Sequence, residues 1–333
     1  MIQHNRPTVG EEEAEEAKRI LLSASLAQGR EVEKFENELC RYLGYEEGQA
    51  VAVSSGTAAL YMAIRAACKD KAVDSVNIPG YSCAALKNAV LFAQMKPCVI
   101  DVSADTPILD LNQIDKGGRT IVCQMYGTAS RIEDRNIIED CAQSLGAEVD
   151  GKKAGTQTDI SVFSFYATKP ITSGGEGGAI VSPVKDIIDF VRDLREFDMK
   201  SDDVSRFNFQ MTDLQAAIGR VQLRKLDRFI EKRHYLGDRY ENNGIKLWNR
   251  QKGGIDYRAI IKTERPEEMI RFLAEREIKA IIPIETSELL CQPKKIPNAY
   301  ELTRTLVSIP IYPTLKDDEQ DRIIDAIHEF RRS

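Results

Sequence analysis

The chain has 333 residues, 42% hydrophobic and 29% charged, and its 52 acidic against 46 basic side chains leave a formal net charge of −6. That length suits two packed domains better than one core, and the composition is that of a water-soluble globular protein with no apolar run able to cross a bilayer. The acidic balance argues against a nucleic-acid partner, because phosphate backbones are held by clustered Lys and Arg.

The opening MIQHNRPTVGEEEAEEAKR is interrupted by charge from Arg6 onward and lacks the apolar stretch of a signal peptide, which reads as cytoplasmic. Thr8 and Glu11 have the spacing of a capping box and predict a helix running to residue 26. A second helix is expected over 31–43, stopped by Gly44. Short apolar runs then alternate with amphipathic stretches: AVAVS (50–54), SVNIP (75–79), CVIDV (98–102), TIVCQMY (120–126) and NIIED (136–140). With helical crossovers at 58–68 and 84–93, this is the pattern of βαβ units and a parallel sheet. DISVFSF (159–165) and GAIVS (178–182) predict two further strands around a Gly-rich loop, followed by helices over 186–197 and 213–241. After Asn242-Asn243-Gly244 the pattern restarts as a smaller α+β unit, with strands at 257–261, 279–282 and 306–309 and helices at 266–275 and 316–330. The expected domains are therefore 1–240 and 241–333.

Seven cysteines fall singly in apolar surroundings without a C-x-x-C pair, and three histidines lie far apart, so neither a disulfide framework nor a metal site is expected. The basic stretch 220–239 alternates with apolar residues at helical spacing and reads as a solvated helix face.

Three segments sit at the carboxyl ends of predicted strands, where open α/β sheets assemble their sites. Ser54-Ser55-Gly56-Thr57 joins a strand to a helix: its glycine admits close backbone approach and its hydroxyls and helix start offer donors to a phosphate. Taken alone, such a turn is more often an ordinary helix cap. Asp140 closes the strand NIIED, where a carboxylate can keep a pyridinium nitrogen protonated or merely cap a helix beginning at Ala142. Lys169 follows the strand DISVFSF in a loop dense with glycine, where partial desolvation would lower its pKa and make its amine nucleophilic. The run GGEGG (174–178) does not match G-x-G-x-x-G and is followed by a strand, which disfavours a dinucleotide site.

In order and context these segments resemble the DegT/DnrJ/StrS sugar aminotransferases of the fold-type I pyridoxal-phosphate enzymes. The likeness extends from RPTVGEEE through VSSGTAALYMAI, IPGYSCAALKNAV, IEDCAQSLGA, SFYATKPITSGGEGGAIVS and NFQMTDLQAAIGRVQLRKLD to LVSIPIYPTLKDDEQDRIIDAI. The resemblance implies an α/β fold in which a large domain carries a mainly parallel seven-stranded sheet between helices, followed by a small C-terminal α+β domain. It implies pyridoxal 5'-phosphate as cofactor, Lys169 as the Schiff-base lysine, Asp140 on the pyridine nitrogen and Gln143 beside the phenolic oxygen. Ser55, Gly56, Thr57 and Ser164 then form the phosphate cradle, and Asn208 reaches the neighbouring subunit's phosphate in a homodimer with composite sites. Cys83 occupies the position where the family often stacks an aromatic ring or His on the cofactor, and Gln210 stands where many members have Arg. The expected reaction moves an amino group from glutamate to a nucleotide-linked keto-sugar. Alternatives are a cofactor-binding regulator without turnover, or a sugar dehydratase of the same family, although dehydratases carry His where this chain has Lys169.

Overall fold

The computed structural model describes residues 1–69 and 73–332. Glu11–Ser23 (α1) and Arg30–Leu43 (α2) open the chain. α1 starts later than the Thr8 spacing predicts. Gly10 is its cap, and Glu13 rather than Glu11 turns back to accept the Gly10 N–H at 2.8 Å. Glu13 is held in that place from outside the helix, by Gln222 at 2.7 Å and Lys225 at 2.9 Å. The helix ends at Ser23 because Ala24 adopts a left-handed φ of 58°.

The alternating pattern then becomes Ala50–Val53 (β1), Gly56–Cys68 (α3), Ser75–Pro79 (β2), Ala84–Phe92 (α4), Lys96–Ile100 (β3), Arg119–Cys123 (β4) and Ile138–Asp140 (β5). A small hairpin that the sequence reading did not anticipate follows, Glu148–Val149 (β6) with Lys152–Lys153 (β7). Its Asp150-Gly151 turn has φ values of 50° and 74°, as tight hairpin turns require. Ile160–Ser164 (β8), Gly178–Val181 (β9) and Lys185–Arg195 (α5) complete this part.

Seven of these strands form one sheet in the order β1-β9-β8-β5-β4-β2-β3, parallel except for β9, which runs antiparallel to both neighbours. The carboxyl ends of β1, β8, β5, β4 and β2 therefore lie along one edge. Alternation along each strand assigns its side chains to two faces. Val51, Val53, Ile160, Val162 and Ile180 join the cluster around α3 and α4. Ala50, Ala52, Phe163, Ala179 and Val181 join the opposite cluster, against α2 and the next helix. Phe163 is fully buried there, a burial that contributes about 1.5–3 kcal/mol.

Edge strand β1 is clamped by a buried ion pair. Arg195 of α5 meets Glu36 of α2 at 2.5 Å, and the two side chains also bind the carbonyl and N–H of Ala52. Removing one partner of such a pair costs about 3–5 kcal/mol because a charge is stranded.

Asp213–Asn242 (α6) begins with a reciprocal cap between Thr212 and Gln215. Its basic stretch is not wholly solvated as expected: Arg233 is 3% exposed. It donates to the carbonyls of Asp256, Tyr257 and Ile311, drawn inward by acceptors that no local pattern reveals. The remainder is Ala259–Lys262 (β10), Pro266–Ala274 (α7), Pro297–Thr305 (α8), Leu306–Ile309 (β11) and Asp317–Arg332 (α9). β10 and β11 pair antiparallel over a cluster that also includes Ile2, α7 and α9.

Two expectations fail here. Residues 279–282 form no strand. Their backbone is shared between single bridges, Ile278 with Ile2 and Ile281 with Ser308, before Pro283 ends any pairing. Conversely, α8 went unread because its cap is remote: the carboxylate of Asp101 accepts the N–H groups of Asn298 and Ala299, both at 2.9 Å. That duty also explains why β3 ends at Ile100, two residues before the expected limit.

Candidate active site

The carboxyl edge of the sheet opens into a cleft of about 230 Å³ lined by Ser55, Gly56, Thr57, Cys83, Asp140, Ser164 and Lys169, together with Ala142, Tyr166 and Glu176. Seven of the nine residues expected from the sequence thus meet in one place, although they come from five separate segments.

At one end the chain leaves β1 and enters α3. Ser55 is the helix cap, accepting the Ala58 N–H at 3.1 Å, so the ordinary reading of this turn is also correct. The first-turn N–H groups of Gly56 and Thr57 have no acceptor within the helix and point with its positive dipole end into the cleft. Ser164 closes the cradle from β8. A Cβ on Gly56 would stand 2.7 Å from Ser164 Cβ and 2.9 Å from its Oγ, so only glycine lets the helix start approach this strand. Clustered N–H and hydroxyl donors at a helix start are the chemistry of a phosphate site.

Asp140 forms the floor. It is 6% exposed, and burial raises its carboxyl above the usual range, partly opposed by the Ala142 N–H, by Lys169 and by the Cys123 thiol. The Ala142 N–H bond, 2.9 Å long, closes a turn rather than starting a helix. A buried carboxylate with so little compensation suits a ligand that brings its own protonated nitrogen.

Half-buried Lys169 enters from the loop after β8. That loop is tied down at every step: Phe165 donates to the carbonyl of Gly177, Ala167 to that of Gly175 and Lys169 to that of Tyr166, each at 2.8–2.9 Å. The Thr168 carbonyl accepts from both Asn5 Nδ2 at 3.1 Å and Tyr257 OH at 3.0 Å. Burial alone would raise the Tyr257 phenol, but the cations of Lys169, Arg258 and Arg233 outweigh it and lower the phenol. Asn5 and Tyr257 were absent from the sequence reading, since neither lies in a motif.

The other two expected residues stand apart. The half-buried Gln143 accepts the Tyr126 N–H at 2.9 Å and does not line the cleft. Asn208 is exposed on the segment before α6, where its oxygen accepts the Gln210 N–H at 3.2 Å. Cys83, the thiol where a ring was expected, is exposed at the cleft wall, whereas Cys123 and Cys141 are buried. A larger hollow of about 390 Å³ lies around Arg250, but that guanidinium is already saturated by Asp238, Glu241 and Asp256.

Residues 7–328 match the DegT/DnrJ/EryC1/StrS aminotransferase family. The chain belongs to that family. It is a pyridoxal-phosphate aminotransferase, and its architecture is that of the fold-type I enzymes. Among relatives, the GDP-perosamine synthase of Escherichia coli O157:H7 is 30% identical across 91% of this chain and 91% of its own length. The dTDP-3-amino-3,4,6-trideoxy-alpha-D-glucose transaminase of Micromonospora megalomicea subsp. nigra is 28% identical across 93% and 92%. Among solved structures, DesV of S. venezuelae, crystallised with a ketimine intermediate, is 25% identical with a TM-score of 0.88 over 97% of this chain and 95% of that one. The donor set of the cleft fits the family's cofactor: a phosphate cradle at the α3 start, a buried acid in the floor and a primary amine between them.

Proposed function

We propose that this aminotransferase moves an amino group from glutamate to a nucleotide-linked keto-sugar, using Lys169 and Asp140, and that it works as a homodimer. The observation that carries the reading is the convergence of Lys169, Asp140 and the Ser55–Thr57 and Ser164 cradle in one cleft. When bound, pyridoxal phosphate supplies an aldehyde that condenses with amines and a ring that accepts the electron pair released when a neighbouring carbon loses its proton.

The protein's own residues do the rest. The N–H groups of Gly56 and Thr57 and the Ser164 hydroxyl would hold the phosphate. Asp140 keeps a proton on the ring nitrogen. Lys169 Nζ would be the amine that holds the cofactor through its aldehyde. The same Nζ would take the proton from the donor's α-carbon and give it back on the cofactor side. The loop bonds described above keep that short proton path in register.

The sugar acceptor is supported by the relatives, two of whose names specify nucleotide-linked sugars. The dimer is supported by Asn208, which faces outward, and by the apolar side chains exposed around it: Phe207 at 45%, Phe92 at 49% and Leu91 at 51%. In that assembly Asn208 would reach the partner's phosphate cradle. Gln143, one turn beyond Asp140, is assigned to the cofactor's phenolic side, and Cys83 to its exposed face. A cytoplasmic setting is part of the same reading, supported by cysteines scattered singly through the chain rather than in paired spacings.

The test is spectroscopic. Protein reconstituted with pyridoxal phosphate should show a visible imine band that glutamate abolishes, and a keto-sugar nucleotide should restore it. Lys169→Ala should form no such band and show no turnover; unchanged activity in that variant would sink the mechanism.

A further inference from the structure

Cys123 and Asp140 are register partners in the parallel pair β4–β5, so their side chains leave the same face of the sheet. The thiol donates to Asp140 Oδ2 at 3.5 Å, while Oδ1 accepts the Ala142 N–H at 2.9 Å. Both residues are buried, Cys123 at 4% and Asp140 at 6% exposure. On the far side of the sulfur lies the Ser82 hydroxyl, 3.9 Å away.

We propose that Cys123 is a positioning residue for Asp140: its thiol fixes the plane of the carboxylate so that the remaining lone pairs face the cleft. The inference rests on the pyridoxal-phosphate reading and adds a residue to it. A carboxylate held only at Oδ1 can swing about its Cβ–Cγ bond, and a second donor at Oδ2 stops that rotation. The choice of donor matters. Lys or Arg here would neutralise the charge that the cofactor's ring nitrogen needs, and Val would leave Oδ2 bare. A thiol is a weak neutral donor, so it orients the oxygen while leaving its charge available.

Burial pushes the Cys123 thiol well up, which keeps its proton in place. The titratable groups around the pair are few. Lys169 reaches Asp140 from the loop after β8, Cys141 is next to it on its own strand, and Cys83 approaches Cys123 from the start of α4. Among them the only cation is Lys169, whose amine is committed to the chemistry.

The experiment titrates cofactor-free protein with pyridoxal phosphate across pH for the wild type, Cys123→Val and Cys123→Ser, with a thermal melt of each. Affinity falls on the acid side as Asp140 takes up a proton. Losing a donor to the charged form favours that protonation. Cys123→Val should therefore weaken binding about three- to tenfold near neutral pH and move the acid limb up by about half a pH unit. Cys123→Ser, with a stronger donor, should return the limb to the wild-type position or below it. If all three proteins share one acid limb and one affinity, or if Ser behaves like Val, the residue is core packing and the proposal is overturned. Failure of the wild type to take up pyridoxal phosphate would instead overturn the functional reading, and Cys123's role with it.

Discussion

The phenol of Tyr257 donates to the main-chain carbonyl of Thr168 at 3.0 Å, in the peptide that leads into Lys169. The second donor to that carbonyl is Asn5, so the residue before Lys169 is anchored from positions 5 and 257 at once. The Tyr257 ring is flanked by two guanidinium groups, Arg233 and Arg258, at 5.6 and 5.5 Å from its centroid. Lys169 is therefore held by parts of the chain that lie outside the cleft lining.

Either donor alone keeps the carbonyl satisfied. Tyr257→Phe or Asn5→Ala should each cost about 1 kcal/mol of stability. The double variant should cost more than the sum, because the carbonyl then loses both donors. Urea unfolding of the four proteins measures this cycle; strict additivity would show that the two bonds do not share a role. Turnover should fall in step, at least tenfold in the double variant, with the cofactor's affinity changed less.

Gly56 and Gly178 make the close approaches that seat the turn after β1 against β8 and β9. Gly56→Ala places a methyl 2.7 Å from Ser164 Cβ, which no side-chain rotation moves, so the helix start must draw back from β8 and open the cradle. Cofactor affinity should drop about tenfold, equivalent to about 1.4 kcal/mol, and the melting temperature should fall as well. At Gly178 a methyl would stand 2.4 Å from the main-chain oxygen of Ser55, which cannot turn. Gly178→Ala should destabilise the whole fold by about 1–3 kcal/mol. Paired calorimetry and cofactor titration distinguish the two.

Asp140 sets function against stability. Burial raises its carboxyl, so the fold holds that proton more tightly than the unfolded chain does. The associated stability is complete below the unfolded value of about 3.9 and is lost as pH rises through the raised one. Asp140→Asn, which cannot ionise, should melt higher than wild type in the cofactor-free state, by a margin that widens as pH rises above about 4. On the role proposed for Asp140, turnover should fall at least a hundredfold. A margin constant with pH would contradict this account of the carboxylate.

His4 should give the reverse pH dependence. Burial, then the charges of Arg258 and Lys279, push its imidazole down to about 3, and the neutral ring sits 2.8 Å from Ser308 Oγ and 3.2 Å from Arg258. The unfolded chain binds this proton at about 6.5, so stability is lost as pH falls from there toward about 3. His4→Gln should flatten that slope, and acid melts of the two proteins would reveal whether it does.

Lys169, Asp140 and the Ser55–Thr57 turn were legible in the sequence because each sits at the end of an apolar run, and strand period and helix caps are local signals. The alternation of strands with amphipathic stretches likewise announced a parallel sheet with helices around it. What only the tertiary structure decided is which strand ends become neighbours, and which distant groups serve them. Asp101 caps α8, Glu13 is held by Gln222 and Lys225, Arg233 reaches three carbonyls, Tyr257 and Asn5 hold the Lys169 loop, and Cys123 lies against Asp140 by register. These contacts join residues far apart in the chain, or on strands whose pairing is set by the whole sheet, and so leave no period or spacing to read. The sequence by itself determined which chemical groups stand at the strand ends; long-range packing determined which of them share the cleft.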